Sequence, residues 1–294
     1  MMTITGETNL THSDDSKPGI TRRKAGHGWG YWDAKGRRIT DRDEIDRLNR
    51  IALPPAYVDA WFCPSPNGHI QATGVDAKGR KQYRYHPDFR ANQDAQKYAR
   101  CADFGRALPR LRAQVQADLA GRRLDRDTVV AAVIRLLDLG KVRVGNEGYA
   151  KANKSFGATT LRNRHAKVHG AKLRLEYVGK SGKKQRLTIA DGRLARLVRR
   201  TQDLPGQHLF EYLDRDGTPH PVSSDEVNSY IREATGGDFT AKHFRTWGAS
   251  LLAFQHIIAT AKEGKVSLKP MLEAVAGALG NTPAISRNPT STPP

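Results

Sequence analysis

Four polar side chains set far apart in the chain are of the types that can act together on a phosphate ester: Arg143, Lys180, Arg245 and Asn281. Arg143 sits between Val142 and Val144 just past a helical stretch, so a core tethers its backbone while its head can enter a cleft. Arg245 directly follows Phe244 near a helix start, where a planar, permanently charged fork can grip a phosphate at two points. Lys180 lies at the tip of an expected hairpin, and Asn281 follows the last expected helix. Taken singly, Arg245 reads as a solvated cation in a very basic chain and Lys180 as a solubilising lysine. Together, two arginines, a lysine and an amide suit a phosphodiester in a trigonal-bipyramidal transition state. The arginines would neutralise the non-bridging oxygens and Asn281 would donate one more hydrogen bond. Lys180 would protonate the departing oxygen if its pKa were brought down toward neutrality. The set lacks a nucleophile.

The elements that must position these residues divide the chain in two. Its 294 residues allow two domains with proper cores. Residues 1–20 are polar and read as a disordered leader. Residues 21–98 read as a β-rich domain, with short strands at Gly30–Trp32 and His69–Thr73, one helix over Asp41–Arg50, and an extended Ile51–Tyr57. Lys81 to Tyr85 follows a Gly-flanked basic turn as an alternating strand, with Tyr83 and Tyr85 on one face and Arg84 on the other. Two readings of the tyrosines are open: a nucleic-acid contact, or two ordinary core residues on a half-buried strand.

Residues 99–294 read as mainly helical, with helices over Arg106–Ala120 and Asp127–Leu139, the second capped by Gly140. A hairpin is expected over Lys172–Ile189, then helices at Asp191–Asp203, Ser224–Ala234 and Lys269–Leu279. In the helix that opens at Lys242, with Thr240 as N-cap, Phe244, Trp247, Leu251, Phe254 and Ile258 make one buried stripe. The fold class is therefore α+β.

Lys and Arg number 49 against 30 Asp and Glu, a net charge of +19. So large an excess implies a polyanionic partner, and its spread over the whole chain fits nucleic acid better than a membrane surface. Two cysteines, Cys63 and Cys101, exclude a disulfide framework and a Cys-based zinc site, and fit a reducing compartment. No apolar run reaches membrane-spanning length and Met1–Ile20 lacks a signal-peptide core, so a cytoplasmic protein is expected. There is no P-loop lysine motif, dinucleotide fingerprint or metal-spaced cluster, so no cofactor, ATP or metal is expected in the chemistry.

Five stretches, in this order, carry a resemblance: Asp76-Ala77-Lys78-Gly79-Arg80-Lys81-Gln82-Tyr83, Val142-Arg143-Val144-Gly145-Asn146-Glu147-Gly148-Tyr149, Tyr177-Val178-Gly179-Lys180, Lys242-His243-Phe244-Arg245-Thr246-Trp247-Gly248 and Gly280-Asn281-Thr282-Pro283. Over residues from about 22 to 287 the chain resembles the type IB DNA topoisomerases, specifically the small bacterial and poxvirus-like branch. The resemblance implies a monomeric clamp around duplex DNA, made of a small β-rich N-terminal domain and a larger helical catalytic domain. It implies that Arg143, Lys180, Arg245 and Asn281 are catalytic. Gln82, Tyr83 and Tyr85 would touch DNA, with Lys242 near the active site. In such enzymes a tyrosine attacks a backbone phosphate, a 3′-phosphotyrosyl link holds the bond energy while the free end swivels, and the strand is resealed without ATP. A nucleoid-associated location follows from the same resemblance.

The chain departs from the pattern at the nucleophile. The tyrosine belongs at position 290, which is Thr290, and no tyrosine follows Tyr230. An aliphatic hydroxyl is far less acidic than a phenol of pKa about 10, and Pro289 would disturb a helix presenting it. Where members of the family read Lys-Ser-Tyr-Val-His-Pro, residues 288–293 read Asn-Pro-Thr-Ser-Thr-Pro. Codons AAR-TCC-TAC-GTC-CAC-CCN give the first string. Loss of the third base of the first codon gives the second. The expectation is a one-base frame shift at codon 288, in the gene or in its reading. Two alternatives follow: a remnant that binds DNA without cleaving it, and a tyrosine recombinase. A recombinase would usually carry His rather than Lys242 and an all-helical N-terminal domain.

Overall fold

A computed structural model of the chain describes residues 9–26, 28–261, 264 and 267–281. It forms an α+β fold of two compact units, residues 1–97 and 98–294.

In the first unit five antiparallel strands lie in the order β2-β1-β3-β4-β5: β1 Ile20–Ala25, β2 Gly28–Trp32, β3 Val58–Phe62, β4 Ile70–Val75 and β5 Lys81–Tyr85. Helix α1, Arg42–Arg50, starts where the Asp41 carboxylate accepts the amides of Asp43 and Glu44. It lays Leu48 on a core of Ile20, Tyr31, Phe62 and Ala72, in which Tyr31 meets Phe62 edge-on at 5.3 Å. Two expectations are corrected here. Residues 9–20 are not a disordered leader: Leu10 is buried, Thr11 bridges to Gly68, and Ser13 N–H donates to His69 Nδ1 at 2.9 Å. Ile51–Tyr57 is not simply extended, because Tyr57 N–H closes a turn on the Pro54 carbonyl. The Arg22 guanidinium holds that turn by donating to the carbonyls of Leu53 and Pro54 at 2.7 and 2.8 Å.

Helix α2, Pro87–Asp118, starts well before the expected Arg106 because its first turns are polar and show no apolar period. The second unit is built around α3, Arg126–Gly140, whose N-cap Asp125 accepts the Thr128 amide. Val129, Val130, Val133, Ile134, Leu136 and Leu137 are all essentially buried, each contributing roughly 1.5–3 kcal/mol of apolar transfer. Around α3 lie α4 Glu147–Asn153, the sheet β6-β7-β8 (Ala166–His169, Lys172–Val178, Lys184–Ala190), α5 Gly192–Gln202, the pair β9 Glu211–Leu213 and β10 Pro219–Pro221, α6 Ser224–Thr235, α7 Ala241–Ala261 and α8 Leu268–Leu279. The short α4, β6, β9 and β10 were not foreseen.

Two details of this unit also differ from expectation. Gly140 is the last helical residue and Lys141 takes the left-handed cap, at φ 50°. Gly140 serves close packing instead: a Cβ there would lie 2.9 Å from Leu187 Cδ1. The stripe on α7 is buried only at its start. The core reaches α7 through Ala241, Phe244 and Trp247, whereas Phe254 is 59% exposed and Ile258 45%.

Candidate functional site

An open cleft of about 70 Å³ lies in the second unit, lined by Arg143, Tyr177, Lys180, Gln185 and Arg245 among others. Three of the four residues picked from the sequence line it, and the fourth, Asn281, is hydrogen-bonded to two of them.

Each is held by a local device. Past the left-handed Lys141, the buried Val142 anchors the chain, and the carbonyls of Arg143 and Val144 accept the amides of Ala158 and Thr159 at 2.8 and 2.7 Å. Gly157 permits that approach, since a Cβ there would stand 2.6 Å from the Arg143 carbonyl oxygen. Arg245 rides on α7, whose entry is fixed by two side-chain acceptors. Thr240 N–H donates to His243 Nδ1, and Ala241 N–H to Asn228 Oδ1, both at 3.0 Å. Thr240 precedes the helix, but its hydroxyl pairs with His243 Nδ1 at 3.3 Å, and its carbonyl rather than its side chain accepts the His243 amide at 2.9 Å. Lys180 follows the buried Gly179 in a tight reversal closed by the Gly179 amide on the Lys183 carbonyl, with Ser181 and Gly182 left-handed. Asn281 follows Gly280, whose φ of +61° ends α8 and lets the Asn281 amide reach the Ala276 carbonyl at 2.8 Å.

The side chains converge on one atom. Arg143 Nη2 donates to Asn281 Oδ1 at 2.9 Å and Arg245 Nη2 donates to the same oxygen at 3.1 Å. Guanidinium groups only donate, so the carboxamide must turn its oxygen to them, which leaves its NH2 to donate elsewhere. Arg245 also donates to the carbonyls of Lys141 and Leu279, at the ends of α3 and α8. Carbonyls at helix ends lack an intrahelical partner and carry the negative pole of the helix, so they suit a cation.

The electrostatics favour an anion. Among the described residues no Asp or Glu lines the cleft, and the acceptor shared by the two guanidinium groups is neutral. Burial, and next the neighbouring Arg143 charge, bring Arg245 down to about 10, so it stays cationic at neutral pH. Arg143 is lowered by burial too. Donors at 2.9 and 3.1 Å from one oxygen stand at most about 6 Å apart, and at an effective dielectric near 20 two such charges repel by about 3 kcal/mol. A bound phosphate would reverse that sign. Tyr177, 6% exposed, is the residue that sequence reasoning left out. Its hydroxyl is pushed up to about 12 by burial, against the opposing pull of Arg245 and Arg143. Its alternation with Leu173 and Leu175 marked it only as inward-facing.

Lys242 is exposed on the first turn of α7 and is not part of the cleft lining. Thr290 lies outside the described residues. Within the first unit, Tyr83 and Tyr85 stack at 6.0 Å and are 38% and 36% exposed, which settles against the core reading. Gln82 lies on the other face of β5, donating to Asp76 Oδ2 at 3.0 Å beside Arg80. Arg80 and the turn amides hold the Asp76 carboxyl far below the usual range. Lys81 shares the tyrosines' face, as its period-2 spacing could have told, with its ammonium 5.8 Å from the Tyr83 ring centre. Among the described residues no helix is long and apolar enough to cross a membrane, and no His, Cys, Asp and Glu group is placed to hold a metal.

Comparison with known proteins adds an independent line. A family described as eukaryotic DNA topoisomerase I, catalytic core, matches residues 86–292. A second, bacterial DNA topoisomerase IB, N-terminal domain, matches residues 28–76. The chain is similar to DNA topoisomerase 1B of Acanthamoeba polyphaga mimivirus, at 32% identity over 269 residues, covering 90% of this chain and 80% of that one. It is similar to DNA topoisomerase 1B of vaccinia virus (strain Copenhagen), at 22% identity over 73% of this chain and 67% of that one. A solved structure of the XerH site-specific recombinase bound to its difH substrate matches at a TM-score of 0.39 and 14% identity, over 64% of this chain and 50% of that one, too slight a likeness to bear on function.

Proposed function

The chain belongs to the type IB DNA topoisomerase family, and from that membership we propose that its architecture serves to relax supercoiled duplex DNA through a transient single-strand break, without ATP or a metal ion. What supports this most is the meeting of Arg143 and Arg245 on the Asn281 oxygen, in a cleft with no carboxylate among its described lining residues. In this reading the two guanidinium groups bind the non-bridging oxygens of the scissile phosphate and gain strength as charge builds in the transition state. The Asn281 NH2 adds a donor. Lys180, on its reversal at the cleft, gives a proton to the departing 5′ oxygen and takes it back on resealing. The phenol that attacks in this family would come from position 290. Duplex DNA is the partner, bound by a monomer with the Tyr83 and Tyr85 face of β5 and with Lys242.

A second reading has its own observation. With Thr290 at that position, and residues 288–293 readable as a one-base frame shift, this 294-residue polypeptide would hold DNA without cutting it. The recombinase alternative is weakened by the five-stranded sheet of the first unit and by Lys242.

One experiment separates the readings: the intact mass of the protein from its native source, together with plasmid relaxation in EDTA without ATP. A longer chain that relaxes the plasmid supports the topoisomerase and the frame shift. A mass equal to the 294 residues, with gel shift but no relaxation, supports the DNA-holding remnant. An uninterrupted, in-family nucleotide reading through codon 288 would remove the frame-shift explanation.

A further inference from the structure

The N-terminal segment from Leu10 to Lys17 forms a strap across the first unit. Its start is pinned: Thr11 N–H donates to the Asn67 carbonyl at 2.9 Å, His69 N–H to the Thr11 carbonyl at 3.0 Å, and the His12 ring lies 4.6 Å from that of His69. From His69 a file of rings continues through Phe89, at 5.1 Å, to Tyr85, at 5.5 Å, and on to Tyr83. The strap returns to this file at Asp15. Its Oδ2 is sealed from solvent and stands 2.7 Å from the Lys81 ammonium, at the head of the same face of β5. Asp15 is also near enough to Tyr85 to add to the rise of its phenol, behind burial and Tyr83.

A carboxylate on a surface that reads as DNA-facing is out of place unless it is exchanged on binding. We propose that Lys81 is a phosphate-contact residue of the β5 surface, and that Asp15 occupies its ammonium in the unbound chain as a stand-in for the DNA phosphate. This rests on the reading of β5 as a DNA-binding strand. The chemistry of the exchange is symmetrical: one anion leaves an ammonium and another arrives, with the stacked phenols beside Lys81 unchanged. Binding at this point therefore costs the chain its Asp15–Lys81 pair, and removal of the competing carboxylate should tighten it. Asp14 is the built-in control. It is the neighbouring acid on the same strap, but its carboxylate is taken by Ser16 and lies 3.8 Å from Lys17 rather than on Lys81.

The test is a double-mutant cycle on the full chain, read as fluorescence anisotropy of a labelled linear duplex over a salt series, with thermal unfolding of each variant alongside. Asp15→Asn should bind about two- to fivefold more tightly, the range of a part-exposed ion pair. Asp14→Asn should bind within experimental error of the parent. Lys81→Gln should bind more weakly, with a log–log salt slope shallower by about one. In the Lys81→Gln background, Asp15→Asn should add nothing. A gain from Asp15→Asn that equals that of Asp14→Asn, or that persists without Lys81, overturns the exchange. A parent chain that does not bind duplex at all overturns the DNA-binding reading and this proposal with it. A chain that binds with the two residues uncoupled overturns this proposal alone.

Discussion

Placing a carboxylate where the two guanidinium groups meet, by Asn281→Asp, should make the protein more stable and its cleft useless for anions. The amide oxygen of Asn281 now accepts from Arg143 at 2.9 Å and Arg245 at 3.1 Å. Those are neutral-acceptor bonds, worth about 1 kcal/mol net each, and they leave the repulsion of about 3 kcal/mol between the cations in place. A carboxylate in the same position makes both bonds charge-assisted, roughly 1.5–3 kcal/mol each, and screens the repulsion. Discounted for its desolvation in a half-buried place, the net gain is about 1–3 kcal/mol at pH 7. For a unit of this size that is a rise in Tm of roughly 2–12 °C. The sign of the pH dependence follows. The cations depress the introduced carboxyl below its unfolded pKa of about 3.9, so the gain is fully present above that pH and is lost as pH falls through the lower, folded value. Differential scanning fluorimetry of parent and variant at neutral pH and near pH 2 measures this. A sulfate titration alongside should raise the Tm of the parent and not of the variant. An unchanged or lowered Tm at neutral pH, a gain that survives at acid pH, or an equal response to sulfate would refute the picture of an uncompensated pair of cations.

Tyr177→Phe should flatten the alkaline loss of stability. With the folded hydroxyl at about 12 and the unfolded one near 10, the parent loses roughly 2–3 kcal/mol as pH rises between those values, and the variant lacks that component in urea unfolding near pH 9 and pH 12. Gly157→Ala should cost about 1–3 kcal/mol and weaken sulfate binding, because the new methyl would meet the backbone of Arg143 and Gly145, which cannot rotate away; thermal unfolding with and without sulfate checks both. Gly280→Ala should cost about 1–2 kcal/mol for the left-handed φ alone. Its methyl would also strike the Gln185 amide, so adding Gln185→Ala should recover the steric part and leave the backbone part, as read by Tm.

Local signals carried most of the elements. Asp41, Asp125, Asp191 and Ser223 each cap the helix that follows, because a short oxygen-bearing side chain before an apolar period satisfies the first amides. The strand pair around Lys180 followed from alternation. What failed was whatever depends on distant partners. Leu251, Phe254 and Ile258 keep helical spacing past the point where the core ends, and periodicity cannot tell a buried stripe from a bare one. Gly140 looked like a cap, but its missing side chain makes room for Leu187, some fifty positions away in the chain. The types of the cleft residues were legible. Their convergence on one oxygen was not, since it depends on how the ends of α3 and α8 meet the first turns of α7. Leu10 to Lys17 was misread for the same reason, its partners Asn67, Gly68, His69 and Lys81 all lying far along the chain.

Arg245 ties the last residue of α8 and the carbonyl after α3 to one point on α7. The guanidinium is thus a cross-link as well as a binding group, and α8 cannot peel away without stranding a half-buried cation. By linkage, an anion that binds only the closed form must raise the free energy of local opening of α8 by RT ln(1 + [L]/Kd). Amide exchange along Leu268–Leu279 should therefore act as an internal gauge of cleft occupancy, one that reports binding even in a chain that performs no chemistry.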